Sequence, residues 1–164
     1  MERSTNIRVA GLGGMGVLTA AGVLGDALLR HGYRVKKAEV HGMSQRGGSV
    51  SSEVRFGTQV LSPMIPRGEM DYLVLLEPDQ RPLYERDLHP STVVLSVADF
   101  DVTSVANPRA VNIAMLGWLS VYLDVPRDAW QEAIRERLPQ RVAAINLDAF
   151  DAGAHTGQEH RRHG

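Results

Sequence analysis

The residues whose types and spacing suit chemistry fall in two glycine-rich stretches. Gly11, Gly13, Gly14 and Gly16 sit within Gly11-Leu12-Gly13-Gly14-Met15-Gly16. A short apolar run at residues 7–10 precedes them, and an apolar stripe of Val17, Ala21, Leu24 and Leu28 follows. This order predicts strand, glycine turn and helix. Glycines let the backbone turn sharply and approach a ligand closely. The helix N-terminus then directs free N–H groups and a partial positive charge toward a phosphate. The run formally matches a dinucleotide fingerprint, with Glu39 where a ribose-binding acid would stand. Against that reading, the second strand feeds a glycine–serine loop and a hairpin, not another helical crossover. The lysine of a P-loop is absent, so nucleotide hydrolysis is unsupported. From the residues alone the turn binds a dinucleotide, contacts another anion or a partner, or merely packs strand against helix.

The second stretch is Ser44-Gln45-Arg46-Gly47-Gly48-Ser49. Two glycines after an arginine allow backbone amides and a guanidinium to converge on one anion. The plainer reading is a loop leading into a hairpin. Other polar residues carry weaker signals. His41 beside Gly42 suits a general base, but such a histidine more often hydrogen-bonds a neighbouring loop. His155, Glu159, His160 and His163 could bind a metal by composition, yet they lie in a polar terminal stretch. Glu77 and Asp79 straddle Pro78 and read as solvated carboxylates at a strand end. Trp118 and Trp130 read as core. No acid–base catalyst and no metal site is assigned.

The elements that must position these residues follow from periodicity. Residues 33–40 read as a second strand. From Ser49 the pattern has period two, with Val50, Ser52, Val54 and Phe56 on one face and Ser49, Ser51, Glu53 and Arg55 on the other. Gly57-Thr58 reads as a turn into residues 59–61, making a hairpin. Residues 72–76 and 92–97 are continuous apolar runs of the buried parallel type. Val111, Met115, Trp118, Leu119 and Tyr122 form a helical stripe. Pro126 opens a further helix burying Trp130, Ala133, Ile134 and Leu138. Gly32 marks the end of the first helix, and Gly22 and Gly25 within it predict close packing on the sheet. The polar residues from Gly153 onward read as frayed. The alternation predicts an α/β three-layer sandwich around a mainly parallel sheet with a hairpin. It comprises one domain over residues 1–152 and a polar tail over 153–164.

Composition narrows the function classes. The chain has 164 residues, 18 Lys+Arg against 19 Asp+Glu, and a net charge of -1, which argues against a general electrostatic grip on nucleic acid. No apolar run approaches the ~20 residues that span a bilayer, and no signal-peptide core opens the chain. The cytoplasm is the expected location. There is no cysteine, which excludes disulfides, zinc–thiolate sites, a nucleophilic cysteine and iron–sulfur clusters ligated by this chain's own thiolates. If the protein serves redox chemistry, its clusters sit on another chain.

The motifs are also familiar. The segment from Gly11-Leu12-Gly13-Gly14-Met15-Gly16 through Ala21 resembles the opening of the gamma domain of 2-oxoacid:ferredoxin oxidoreductases. Ala38-Glu39-Val40-His41-Gly42-Met43-Ser44-Gln45-Arg46-Gly47-Gly48-Ser49-Val50 resembles that family's most diagnostic stretch. Ser62-Pro63-Met64-Ile65-Pro66, Gly68-Glu69-Met70-Asp71 and Leu76-Glu77-Pro78 are similar to the next block, and Asn112 with Leu116-Gly117 to a later one. The indolepyruvate type is the most similar. The resemblance implies a gamma-type domain in an enzyme that oxidatively decarboxylates a 2-oxoacid on thiamine diphosphate. The acyl group goes to coenzyme A and the electrons pass through iron–sulfur clusters to ferredoxin. It implies that the thiamine and clusters belong to a larger partner subunit and that this chain is inactive alone. It further implies that Gly11, Gly13, Gly14, Gly16, Ser44, Gln45, Arg46, Gly47 and Gly48 face the coenzyme A path or the partner. A dinucleotide-dependent oxidoreductase and a purely docking or regulatory subunit are the rival classes. Two departures stand out. Met15 replaces the family's usual glutamine, and a thioether cannot donate an amide's hydrogen bonds. A polar tail stands in place of further helical material.

Overall fold

The apolar run around Ile7 becomes the centre of a five-stranded sheet of order β2-β3-β1-β4-β5 in a computed structural model that describes residues 3–41 and 48–164. The elements are β1 (Thr5–Leu12), α1 (Val17–Arg30), β2 (Arg34–His41), β3 (Ser49–Gly57), β4 (Tyr72–Leu75), β5 (Val93–Ser96), α2 (Val111–Ser120), α3 (Arg127–Arg137) and α4 (Gln140–His163). Strands β1, β4 and β5 form parallel pairs, while β3 lies antiparallel to both β1 and β2. The sheet is therefore mixed, not mainly parallel. The cause is chain length. A parallel crossover needs a dozen or more residues, and only residues 42–48 join β2 to β3. The chain can only turn back, so β3 inserts between β2 and β1.

The same insertion relocates the hairpin. The antiparallel neighbours are β2 and β3, and residues 59–61 form no strand. Both edges of β3 are already paired, so no edge is left for a further strand. Val60 is buried and Leu61 is 82% exposed as the chain leaves the sheet.

All four helices lie on one face, in two tiers. Helices α1 and α2 cover Ile7, Val9, Val54, Val74 and Leu95, with α3 against α1 and α4 against α2. The other face carries Ala10, Leu73 and Leu75, covered by Met70 and Tyr84. Its cover is irregular chain and the 3-10 helices Pro78–Leu83 and Glu85–Asp87, so the layered sandwich has helices on one side only among the described residues.

This second face also carries buried charge. Ser51 and Glu53, on the polar row of β3, are both buried. Arg8 donates to Asp87 at 2.8 Å and to Glu53, and its guanidinium lies 5.3 Å from the Tyr84 ring centre. The second Glu53 oxygen accepts from Ile65 N at 2.9 Å. Arg55 donates to the carbonyls of Ser62 and Met64 at 3.0 and 2.9 Å. These arginines and Glu53 pin the chain after β3 onto the sheet. Burial disfavours the Arg8 charge, but the hydrogen bonds and fields of Asp87 and Glu53 outweigh it and hold its pKa above the ordinary value.

The stripe on α2 is wider than its periodicity suggests. Every residue from Asn112 to Leu119 is buried, because α2 is sandwiched between the sheet and α4. The expected frayed tail is also absent, for α4 runs unbroken to His163. Gly153 and Gly157 are buried where α4 crosses α2. A Cβ on Gly153 would overlap the Ala114 carbonyl oxygen, and one on Gly117 would overlap that of Phe150. Close backbone approach gives this polar segment its anchor. The His160 ring lies 4.6 Å from the Trp118 ring centre, tilted by 42°, and Arg161 Nη1 donates to the Val121 carbonyl at 2.5 Å. Of the two glycines in α1, Gly25 abuts β2, with Lys37 Cδ 3.3 Å from a built Cβ. Gly22 faces Arg137 at the end of α3 and not the sheet.

Two stability predictions follow from these contacts. Gly153→Ala is expected to destabilise by at least about 1–3 kcal/mol in urea denaturation, while Ala substitution of exposed His155 leaves the midpoint in place. Glu53→Ala, which leaves the buried Arg8 half-paired, should cost about 3–5 kcal/mol.

Candidate functional site

The glycine turn is built by backbone geometry. Gly14 and Gly16 have φ of 89° and 75°, a region that side chains with a Cβ rarely adopt. Met15 N donates to the Leu12 carbonyl at 3.2 Å and closes the turn. The Met15 sulfur accepts from Leu12 N at 3.4 Å, so the thioether acts as a local acceptor. Gly16 caps α1 without a side-chain hydrogen bond, and its carbonyl accepts from Ala20 N and from Asn112 Nδ2. A Cβ on Gly16 would overlap the Asn112 amide. Gly11 is held close to Leu76, 3.1 Å from a built Cβ to the Leu76 Cβ.

The two glycine stretches meet. Gly13 N donates to the Gly48 carbonyl at 3.0 Å, one step beyond the Leu12–Ser49 pair of the β1–β3 ladder. Ser44, Gln45, Arg46 and Gly47 lie outside the described residues.

Beside the turn, at the carboxyl ends of β1 and β4, opens a cleft of about 900 Å³. Its walls include Gly14 and Gly16 before α1, Arg109 and Asn112 at the start of α2, and Arg141 in the first turn of α4. The N-termini of three helices thus converge. Neither α1 nor α4 has a side-chain cap, whereas α2 is led in by the 3-10 turn Pro108–Ala110, which Asn107 caps by accepting from Arg109 N at 3.0 Å; none of the three has an acidic residue in its first turn. The lining contains no Asp or Glu. Such a surface presents orphan N–H groups and guanidinium charge to an anion. Sequence reading missed Arg109 and Arg141. The available signals were the helix starts at Asn107-Pro108 and Pro139, each closely followed by an arginine.

The other candidates disperse. Glu39 lies on β2, which β3 separates from the glycine turn. A dinucleotide fold needs β2 parallel and adjacent to β1, so the fingerprint lacks its context. His41 is exposed at the end of β2. Glu77 accepts from Asp79 N at 3.2 Å as the cap of a 3-10 helix. His155 and Glu159 pair at 3.3 Å one turn apart on α4, and no group of three potential metal ligands gathers among the described residues. No helix among those residues is long and apolar enough to cross a membrane.

The family model described as pyruvate ferredoxin/flavodoxin oxidoreductase matches residues 6–103 and 93–156. The chain is 32% identical to the indolepyruvate oxidoreductase subunit IorB of Pyrococcus horikoshii, over 94% of this chain and 96% of that protein. It is 27% identical to the 2-oxoglutarate synthase subunit KorC of Archaeoglobus fulgidus, over 96% and 90%. The fold matches pyruvate oxidoreductase subunit PORC of Thermotoga maritima with a TM-score of 0.76 at 20% identity, covering 94% of this chain and 97% of that one. It matches the keto/oxoacid ferredoxin oxidoreductase gamma subunit of Geobacter sulfurreducens with a TM-score of 0.75 at 22% identity, covering 94% and 99%. The chain belongs to the pyruvate ferredoxin/flavodoxin oxidoreductase family, as a small subunit of the 2-oxoacid oxidoreductase type.

The two left-handed glycines separate strain from collision. Gly14→Ala meets nothing within 4 Å and should cost about 1–2 kcal/mol from φ alone. Gly16→Ala adds the overlap with Asn112, and its thermal midpoint should fall further than that of Gly14→Ala.

Proposed function

We propose that this chain is the small subunit of an indolepyruvate-type 2-oxoacid:ferredoxin oxidoreductase. It docks on a larger subunit that carries thiamine diphosphate and iron–sulfur clusters, and together they form a soluble cytoplasmic enzyme. The reaction decarboxylates a 2-oxoacid, passes its electrons to ferredoxin and transfers the acyl group to coenzyme A. This chain has no cysteine, so its own residues do not fit an iron–sulfur cluster. Its contribution is a wall of the coenzyme A path and an interface.

The observation that carries this reading is the junction of the two glycine stretches by the Gly13–Gly48 hydrogen bond, at the mouth of an acid-free cleft. Gly11 packs the turn against β4, Gly13 ties it to the loop, and Gly14 and Gly16 expose backbone beside the cleft. Ser44, Gln45, Arg46 and Gly47 are proposed to extend that wall, with Arg46 meeting a phosphate or a partner carboxylate. Similarity to IorB along nearly the whole chain supports the indolepyruvate type.

Affinity purification of the tagged chain from anoxic native extract tests this. A stoichiometric large subunit bearing thiamine diphosphate and iron–sulfur clusters is expected. A chain that purifies alone counts against the proposal. In the assembled enzyme, Arg46→Ala should raise the KM for coenzyme A or weaken assembly. If both are unchanged, Arg46 has no such role.

A further inference from the structure

We infer that a second copy of this chain pairs with it along β2, antiparallel and about a two-fold axis at Ala38, so that the two five-stranded sheets become one. The inference stands apart from the oxidoreductase reading, since it rests on one edge strand and the helix above it.

The first observation is an undefended edge. Strand β2 is the outer strand beside β3 and pairs with it without interruption from Arg34 to His41. It is eight residues long and contains neither proline nor glycine. Among the described residues, no hydrogen bond reaches its outer edge. Proteins ordinarily shorten, bend or interrupt such edges, because unpaired N–H and C=O groups accept another strand. The opposite edge, β5, follows this rule with only four residues, Val93–Ser96. Edge lysines are a further deterrent, and β2 carries Lys36 and Lys37. Two residues after Lys37, however, stands Glu39.

The second observation is that these charges complement their own copy. Antiparallel pairing about a two-fold axis sets residues of one face opposite residues of the same face. With Ala38 on the axis, Lys37 of each copy lies opposite Glu39 of the other, giving two ion pairs about a small central residue. Lys36 lies opposite Val40, and Val35 opposite His41. The Lys36 stem then covers Val40, which is 47% exposed. Lys37 and Glu39 form no ion pair among the described residues and are free to make these. The neighbouring registers fail, because they set Lys37 opposite Lys37 or Glu39 opposite Glu39.

The third observation lies on α1. Gly25 abuts Lys37, and Leu18 and Leu29 share the Gly25 stripe, about two turns before it and one turn after it. Both leucines are exposed, at 39% and 55%. The two-fold axis keeps both helical layers on one side of the joined sheet. Each α1 then runs antiparallel to the other along the shared edge, where the leucines gain cover. A strand from an unrelated partner would need neither charges on β2 that pair with their own copy nor a small residue at its centre.

The test uses the full chain in sedimentation equilibrium and non-reducing electrophoresis. The wild-type chain should be a dimer at micromolar concentration. Lys37→Glu and Glu39→Lys each turn two attractive pairs into two repulsive ones and should raise the dimer dissociation constant about tenfold. The double variant exchanges the charges and should dimerise like wild type, a rescue that neither misfolding nor contact with a different surface would produce. The chain has no cysteine, so a single introduced thiol reports its own position. Ala38→Cys should cross-link to its copy under mild oxidation, since directly opposed residues lie within disulfide range. Arg34→Cys should not, since its copy lies about eight residues of strand away, roughly 26 Å. A monomeric wild-type chain would overturn the inference. So would a dimer indifferent to both charge reversals, or one that the charge exchange fails to restore. A chain that associates only with the large subunit, with β2 then protected from hydrogen exchange and no Ala38→Cys cross-link, would assign the edge to that subunit and also overturn it. Each of these outcomes leaves the oxidoreductase reading standing.

Discussion

The insertion of β3 between β1 and β2 is the constraint on which the remaining structure depends. It follows from a connection too short to cross over. Once β3 pairs with β1 from Thr5 to Leu12, its first residue lies opposite the end of β1. The loop that precedes β3 must then emerge beside the glycine turn that follows β1. The Gly13–Gly48 hydrogen bond is the direct result. Gly13 and Gly48, distant in sequence, are thereby joined.

The same insertion sets the burial of charge. A central strand has both faces covered, and β3 carries Ser51, Ser52 and Glu53 into the interior. Glu53 is satisfied by Arg8 from β1 and by the Ile65 backbone. Those contacts hold the irregular chain after β3 in place of a layer of helices. On the helical face the problem is different. There α2 must fit between the sheet and α4, and glycines at 117, 153 and 157 remove the side chains that would keep the helices apart. That close crossing orients α4 so that its N-terminus, with Arg141, reaches the cleft shared with α1 and α2.

The α/β class, the strand–turn–helix opening, all five strands, and helices α1 and α3 were legible as local patterns, but not the mixed direction of the sheet. Each rests on apolar spacing and on glycine or proline punctuation, which neighbours in sequence specify. Glycine positions in the first turn were legible for the same reason, because a left-handed φ at Gly14 and Gly16 is a local demand. The absence of cysteine excluded a thiolate-ligated cluster on this chain without reference to any fold.

Sheet order, the true hairpin and the full length of α4 were not legible in this way. Each depends on which edges are free and which backbones touch, and those facts arise between segments distant in sequence. A polar stretch such as residues 153–164 looks solvated until the glycine contacts to α2 are known. Arg109 and Arg141 look like ordinary surface charges until three helix starts are brought to one cleft. Spacing along a chain encodes the period of each element, whereas convergence of charge requires the elements to be assembled. The motif residues thus belong to the sequence, and the cleft belongs to the fold.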